Sequence, residues 1–302
     1  MIKVERILCP IDLSTESNEA PRYAIALARA FKAELILLYC RKPASVVEWA
    51  TGSNAARLFE QMLYTHLDAN ELKALNWTPA IAEGDDVGRT ILAEASKRSA
   101  DLIVMRSRRR PHAAALLGST AETVSRDAPC PVLVVHQDER EWVGLSAGDM
   151  DLKRVLVTSD FSPDSQLALN YGIALAEEYQ TELHFLHVLD QEEQDLPEFA
   201  WARVDVESRY ADAARRLQEA IPKDAPLWCK VVTSVRWGNA AEEILSYAKE
   251  HEIELICIGV RRPGFDLNKL FGSTTEHVLR RAECPILVAR SAIATATSAK
   301  AA

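Results

Sequence analysis

LLGSTAETVSRDAPCPVLVV, the stretch Leu116–Val135, returns as LFGSTTEHVLRRAECPILVA at Leu270–Ala289. Both copies carry Gly-Ser-Thr, continue with a helical pattern, and close on Cys-Pro followed by four apolar residues. The start of the chain is repeated as well, because ILCPIDLSTES at Ile7–Ser17 matches VLVTSDFSPDS at Val155–Ser165. A repeat of about 150 residues is a whole domain rather than one unit of a solenoid.

The repeat also divides the chain. We predict a first domain at residues 1–137, a second domain at residues 152–290, and a linker between them at 138–151. The linker is polar and shows no clear periodicity. The small, polar residues 291–302 are predicted to form a disordered tail.

Composition and charge argue against several classes of protein. The 302 residues carry a formal net charge of −9, which disfavours general binding to nucleic acid or to a membrane surface. No apolar run reaches the roughly 18–20 residues of a membrane span, and the first residues lack a signal peptide's apolar core. The six cysteines show no metal-type spacing and mostly lie in apolar runs, as buried reduced thiols do. We therefore expect a cytoplasmic protein.

Short apolar runs alternate with helical patterns in both halves. RILCPI at residues 6–11 predicts a buried strand, and i, i+3, i+4, i+7 spacing marks one face of the next helix at Ala24, Leu27, Ala28 and Phe31. Further strands are predicted at ELILLYC, DLIVM and CPVLVV, with counterparts RVLVTS, ELHFLHV, ELICIG and CPILVA in the second half. Such runs between helices indicate a parallel sheet covered on both faces. The predicted fold class is doubly wound α/β, in which ligands bind beyond the carboxyl ends of the strands.

Candidate binding residues lie at that edge in the second half. Gly259 ends a predicted strand, where a glycine allows a sharp turn and close approach of a ligand. A helix is predicted to begin at Gly272, Ser273 and Thr274, and the free N–H groups at its start could bind an anion. The alternative is that Gly-Ser-Thr is only a favourable sequence for starting a helix. Asp160 follows the first strand, where a carboxylate could accept a hydrogen bond from a base or a ribose, or could cap the next helix.

Taken together, these features resemble the universal stress protein family. The features in common are the strand followed by Asp-Phe-Ser or Asp-Leu-Ser, the strand ending in His-Val, the Gly-Ser helix start and the closing Cys-Pro strand. The resemblance covers nearly the whole chain twice and implies a tandem member. It implies two five-stranded parallel sheets of order 3-2-1-4-5, adenine-nucleotide alpha-hydrolase-like, arranged as a pseudo-twofold pair. It also implies that Asp160 and the backbone of Val188 face the adenosine of bound ATP.

The ATP-binding members of that family carry Gly, two residues, Gly, nine residues, Gly, and then Ser or Thr. The second half keeps Gly259, Gly272 and Ser273 of this pattern but has Arg262 in place of the middle glycine. Arg262 could block the approach of phosphates to the backbone or add a cation beside them, and Gly264 could take the tight turn instead. By this resemblance we expect ATP, with or without Mg²⁺, to bind in the C-terminal domain only.

The first half departs further from the pattern. It retains Asp12, Gly118 and Ser119, but Arg106 stands where the second half has its first glycine. A β-carbon and a long cation at a tight turn disfavour the family's loop geometry, so we expect weak ATP binding there or none. The basic loop at residues 106–110 is either a solvated loop or a site for an anion or an acidic partner.

The closing strands, Pro131–Val135 and Pro285–Ala289, are predicted to be sheet edges, where an apolar strand favours pairing. In the family that this chain resembles, such edges pair across a twofold axis. We therefore expect the two domains to dock through these strands, with Leu133 and Leu287 as matching residues. A homodimer of tandem chains is a further possibility.

The predicted function is that of a stress-response protein in which an adenine nucleotide shifts a conformational or assembly equilibrium. No general base near a γ-phosphate can be named. His184 and His187 are three apart on a strand and point to opposite faces, so they cannot share a metal. The sequence therefore predicts at most slow ATP hydrolysis. Two alternatives remain, a nucleotide-free interaction or scaffold protein with both sites degenerate, and a nucleotide-dependent enzyme on the same fold. The absence of SGGxDS and HIGH-type signatures disfavours the enzyme.

Overall fold

The structure, a computed structural model, describes residues 2–12, 19–41, 52–107, 118–136, 139–144, 150–190, 200–260 and 273–290. The predictions made for Arg262, Gly264, Gly272, most of the basic loop after Arg106 and the tail lie outside these residues.

Both halves alternate strands and helices along the chain. The first half contains β1 Arg6–Ile11, α1 Glu19–Phe31, β2 Glu34–Arg41, α2 Gly52–Leu63, α3 Ala69–Ala74, β3 Trp77–Glu83, α4 Val87–Lys97, β4 Leu102–Arg106, α5 Ser119–Asp127 and β5 Val132–Val135. The second half contains β6 Arg154–Ser159, α6 Pro163–Tyr179, β7 Glu182–Leu189, α7 Ala200–Ala220, β8 Val231–Trp237, α8 Ala240–Glu250, β9 Leu255–Gly259, α9 Ser273–Arg281 and β10 Ile286–Ala289.

These ten strands form one sheet in the order β3-β2-β1-β4-β5-β10-β9-β6-β7-β8. Neighbouring strands within each half are parallel, in the predicted order 3-2-1-4-5. The strand order reverses between β1 and β4 in the first half and between β6 and β9 in the second. Beyond the carboxyl ends of these strands a doubly wound sheet leaves a crevice for a ligand.

Helices cover both faces of the sheet, which explains why the strands are apolar without alternation. In β1, Ile7 and Cys9 belong to the core beneath α1 and α6, whereas Leu8 belongs to the core on the opposite face, beneath α4, α5, α8 and α9. All three side chains are fully buried. The helix face predicted in the first half is confirmed, because Ala24 and Leu27 of α1 are buried in the first of these cores.

The two halves meet through β5 and β10, which form an antiparallel pair with Leu133 opposite Leu287. This is the docking through closing strands that the sequence predicted. Both leucines are buried, and together with Trp142 and Tyr171 they line a small apolar cavity of about 20 Å³. The junction is therefore part of one continuous hydrophobic core, and the two halves do not meet through separate polar surfaces.

The described part of the linker is packed against both halves. The buried ring of Trp142 meets the ring of Tyr23 edge-on, with 4.8 Å between centroids. The guanidinium of Arg140 donates to the carbonyl oxygens of Ala248 and Ile253 at 3.4 and 3.3 Å. The linker therefore contacts α1 of the first half and α8 of the second, which its polar composition did not predict.

Candidate functional site

Four chain segments build the carboxyl edge of the second half. Asp160 directly follows β6, and Val188 lies near the end of the neighbouring strand β7. Gly259 is the last residue of β9, on the other side of β6, and α9 begins at Ser273. The fold therefore brings these predicted site residues to one edge of one sheet.

Asp160 has a structural role in the turn before α6. Its Oδ1 accepts a hydrogen bond from the N–H of Ser162 at 2.9 Å, and the Oγ of Ser162 accepts one from the N–H of Ser165 at 3.2 Å. Ser162 is therefore the cap of α6, and Asp160 forms the Asx turn that precedes it. Between them, Phe161 adopts a left-handed φ of 59°. Since Asp160 is exposed, this role leaves it accessible at the edge.

Gly259 is required by the packing of α6. A β-carbon at this position would lie 2.4 Å from the amide nitrogen of Ser165 and 2.5 Å from the carbonyl carbon of Asp164. Both atoms belong to the backbone of the first turn of α6, so no side-chain rotation would relieve the clash. The sequence suggested that a ligand approaches the backbone here, but the group that approaches in the structure is the helix.

In the first half Arg106 occupies the position that corresponds to Gly259. Its Nε lies 3.2 Å from the Oε2 of Glu19 in α1, and both side chains are largely buried. The Arg106–Glu19 ion pair therefore occupies the position at which, in the second half, the backbone of Gly259 packs against the backbone of α6.

A cleft of about 490 Å³ lies at the carboxyl edge of the first half. Its described lining includes the counterparts of the predicted second-half site, namely Asp12, Cys40, Arg106, Gly118, Ser119 and Thr120. Gly118 is the N-cap of α5 and provides no side-chain hydrogen bond to the helix. The first N–H groups of α5 therefore face the cleft without a side-chain cap.

The second-half edge also contains an aromatic shell that the sequence did not reveal. The centroid of the Phe161 ring lies 4.4 Å from that of His187. The same Phe161 ring also contacts the guanidinium of Arg216, whose carbon lies 3.8 Å from the ring centroid. The Nδ1 of His187 lies 2.7 Å from the carbonyl oxygen of Ser159, and burial lowers the pKa of this histidine. The lowered pKa favours the neutral ring, and Nδ1 donates because a carbonyl oxygen can only accept. Arg216 comes from α7, and no motif linked it to this edge.

His184 lies on the opposite face of β7, as predicted. Its Nδ1 lies 2.9 Å from the hydroxyl oxygen of Tyr247 in α8, and burial lowers its pKa to about 4. Among the described residues no group of three or more His, Cys, Asp or Glu side chains could hold a metal ion.

The sequence profile of the universal stress protein family matches residues 3–136 and 151–290. The chain belongs to the universal stress protein family. It is 30% identical over 303 residues to a universal stress protein of Mycolicibacterium smegmatis, with 94% of this chain and 96% of that protein covered. This coverage supports a tandem member of the family.

Solved structures share the fold over nearly the whole chain. PA1789 of Pseudomonas aeruginosa, described as functionally unknown, is 21% identical with a TM-score of 0.69 and covers 95% of this chain and 93% of its own. A universal stress protein of Archaeoglobus fulgidus is 21% identical with a TM-score of 0.62 and covers 96% of this chain and 99% of its own. In the described part of this family member, no helix is both long and apolar enough to cross a bilayer.

Proposed function

We propose that this universal stress protein binds ATP or a related adenine nucleotide in its C-terminal half, as a ligand that regulates its conformation or assembly. The observation that carries the proposal is the equivalence of the two carboxyl edges. In the first half the elements of this edge enclose a cleft of about 490 Å³, a volume within the usual range for small-molecule sites. The second half has the same elements, with a glycine at position 259 in place of the long cation Arg106.

Each second-half residue has a role that its chemistry supports. The exposed carboxylate of Asp160 would accept hydrogen bonds from a ribose hydroxyl or a base amino group, beside the backbone of Val188. The phosphates would lie at the start of α9, where the N–H groups and hydroxyls of Ser273 and Thr274 favour negative charge. Arg262 and Gly272 complete the proposed loop by resemblance to the family, and Mg²⁺ would accompany the phosphates.

Two observations favour the rival function, a scaffold without nucleotide. Arg106 and Glu19 form an ion pair in the first-half cleft, and the linker is packed between the domains through Trp142. A protein that binds no nucleotide at either edge would still display this two-domain surface. Under either function we propose a cytoplasmic location, since all six cysteines are free thiols.

The test begins with the purified full-length chain. Mass spectrometry of the supernatant after denaturation should detect an adenine nucleotide, and calorimetry should detect ATP binding to protein freed of it. Gly272→Val, at the residue that precedes Ser273 in the sequence, should abolish this binding, whereas the matched change Gly118→Val, at the N-cap of α5, should leave it intact. A chain that retains no nucleotide and gives no heat with ATP, or a Gly272→Val variant that binds like the original, would refute the proposal in favour of the scaffold.

A further inference from the structure

The sheet ends in the second half at β8, which has a neighbour on one side only among the described strands. The carbonyl oxygen of Lys230, just before β8, accepts a hydrogen bond from the N–H of Leu183 in β7 at 2.8 Å. The N–H of Gly238, just after β8, donates to the carbonyl oxygen of Leu189 at 3.0 Å. Since the register between these two points is unbroken and backbone direction alternates along a strand, the even-numbered residues face β7 and the odd-numbered ones face outwards. The outer edge of β8 therefore consists of the N–H and C=O groups of Val231, Thr233, Val235 and Trp237.

The opposite end of the sheet, at β3, carries a proline that β8 lacks. The N–H of Leu35 in β2 donates to the carbonyl oxygen of Asn76 at 2.8 Å, so the even-numbered residues of β3 face β2 and Pro79 faces outwards. Proline has no N–H to offer an added strand, and it is one of the devices that protect the edges of sheets. In the repeat, the position of Pro79 is taken in β8 by Thr233, which retains its N–H.

Unpaired charge does not protect the outer edge of β8 either. The charged side chain in β8 is that of Arg236, whose guanidinium lies 2.5 Å from a carboxylate oxygen of Glu250 and 3.6 Å from one of Glu243. The ammonium of Lys230, just before the strand, lies 2.9 Å from a carboxylate oxygen of Glu182. An edge strand that has neither proline nor unpaired charge is a template for pairing with another strand.

The sequence of β8 suits pairing with a second copy of itself. Two identical edges related by a twofold axis pair antiparallel, and full overlap of the seven residues of β8 places the axis at Ser234. Val231 of each copy then faces Trp237 of the other, and Thr233 faces Val235. Because these are the outward-facing residues, each of them gains a hydrogen-bonded neighbour. Pairs of β-branched residues, and of a β-branched residue with an aromatic ring, stabilise antiparallel sheets.

The basic side chains select this register over the neighbouring one. With the axis at Ser234, Arg236 of each copy faces Val232 of the other. A shift of the axis to Thr233 would place Lys230 opposite Arg236, and like charges in that position destabilise a sheet. Within the chain, the inner edges are already joined by antiparallel pairing of β5 with β10. We propose that two chains associate through antiparallel pairing of their β8 edges, so that the two ten-stranded sheets become one.

Sedimentation equilibrium of the full-length chain tests this association. The original chain should form a dimer at micromolar concentration. Thr233→Pro, which installs the residue of the first-half edge, should weaken dimerisation roughly thirtyfold or more, because the twofold axis introduces the lost N–H twice. Thr233→Val keeps the N–H and a β-branched side chain and should leave the dimer intact. Both variants should bind ATP as the original chain does, since the association is independent of the nucleotide site proposed above.

An engineered cysteine gives a second readout if Thr233→Pro fails to fold. Ser234→Cys places two thiols across the twofold axis at a non-hydrogen-bonded position, where Cα atoms lie about 4.5 Å apart, within the range of a disulfide. Mild oxidation should therefore link Ser234→Cys chains into dimers on a non-reducing gel. Thr233→Cys, which would face Val235, should link poorly, and the original chain controls for its own thiols.

Three results would overturn the proposal. The first is an original chain that remains monomeric, which would leave the β8 edge to an extended segment of another protein. The second is a dimer that Thr233→Pro does not weaken, since the interface would then lie elsewhere. The third is disulfide linkage of Thr233→Cys but not of Ser234→Cys, which would exclude this register. A chain that dimerises without binding ATP would refute only the function proposed for the nucleotide site.

Discussion

Leu133 and Leu287 lie directly opposite each other in the antiparallel pair that joins the two halves of the chain. Each is the counterpart of the other in the repeat, so the junction has the symmetry of a twofold axis. Both are 2–3% exposed and belong to a single core that extends across the junction. Docking of the halves and stability of each half therefore depend on the same side chains.

A charge at this junction should separate the halves. Leu133→Lys would bury an ammonium group without a partner and remove a packed leucine, and we expect a loss of unfolding free energy of about 3–5 kcal/mol. Chemical denaturation measures this loss, and limited proteolysis should show faster cleavage in the linker. Leu133→Met, which conserves volume, should cost less than about 1.5 kcal/mol. Equal denaturation midpoints for the lysine variant and the original chain would contradict the docking described here.

Gly259 should not tolerate even one methyl group. Gly259→Ala places a β-carbon against the backbone of Ser165 and Asp164, so the first turn of α6 must move. We expect a loss of about 1–3 kcal/mol, measured by thermal or chemical denaturation. An alanine variant as stable as the original chain would show that α6 does not approach β9 as closely as described.

Gly172 serves as a comparison for Gly259, because a β-carbon there would clash with a side chain and not with backbone. A β-carbon there would lie 2.4 Å from Cγ2 of Val157, which is a side-chain atom. Gly172→Ala should therefore destabilise the fold, but Val157→Ala in the same chain should relieve part of the clash, so that the double variant is more stable than the two separate losses predict. No single side-chain change should rescue Gly259→Ala in this way.

His184 should make the second half sensitive to acid. Burial lowers its pKa to about 4, opposed by Glu182 and assisted by the nearby charges of His251, Lys230 and Arg154. Because this value lies below the unfolded value of about 6.5, the unfolded chain binds the proton more readily. The stabilisation is therefore complete above pH 6.5 and is lost as the pH falls towards 4, with about 3 kcal/mol at stake.

The matched variant for this prediction is His184→Ile with Tyr247→Phe. Ile36 of the first half pairs with β1 as His184 pairs with β6, and the second change removes the hydroxyl that would lose its partner. Free energies of unfolding measured from pH 7 to pH 4 should fall less steeply for this variant than for the original chain. Parallel curves would show that His184 does not titrate on unfolding.

The cysteines should react slowly in the folded protein. Five of the six are buried, and Cys40, which is partly exposed, has its pKa raised to about 12, mainly by burial and secondarily by Glu94. Since the thiolate is the reactive form, a disulfide reagent at pH 8 should modify Cys40 about a hundredfold more slowly than a denatured thiol. All six should react in denaturant. A rapidly modified thiol in the native chain would contradict this environment.

The sequence predicted the doubly wound parallel fold class because the repeat and the apolar runs are local patterns, whereas the strand order 3-2-1-4-5 was implied by the resemblance to the family. The strands that it identified, including RILCPI and RVLVTS, are observed, and Leu133 and Leu287 were expected at the junction because apolar edge strands favour pairing. The strands β3 and β8 were not identified from their residues, since both lie at the sheet's outer edges and are only partly buried.

The candidate site was predictable only in outline. Asp160 and Gly259 were placed at the correct edge, but the reason for the glycine lies in a helix that is distant in sequence from it. The burial of Trp142 in the linker and the contact of Arg216 with Phe161 are tertiary events for which local patterns carry no signal.

One consequence of the ten-stranded sheet concerns how mutations affect its two halves. In an assembly of two identical subunits, any substitution appears in both copies at once, so a change that suits one crevice is imposed on the other. Here the two lobes are encoded separately within one polypeptide, and a replacement such as arginine for glycine alters a single lobe. Because the two halves are encoded separately in one chain, each binding edge can evolve independently of the other, while the pairing of β5 with β10 keeps the halves together.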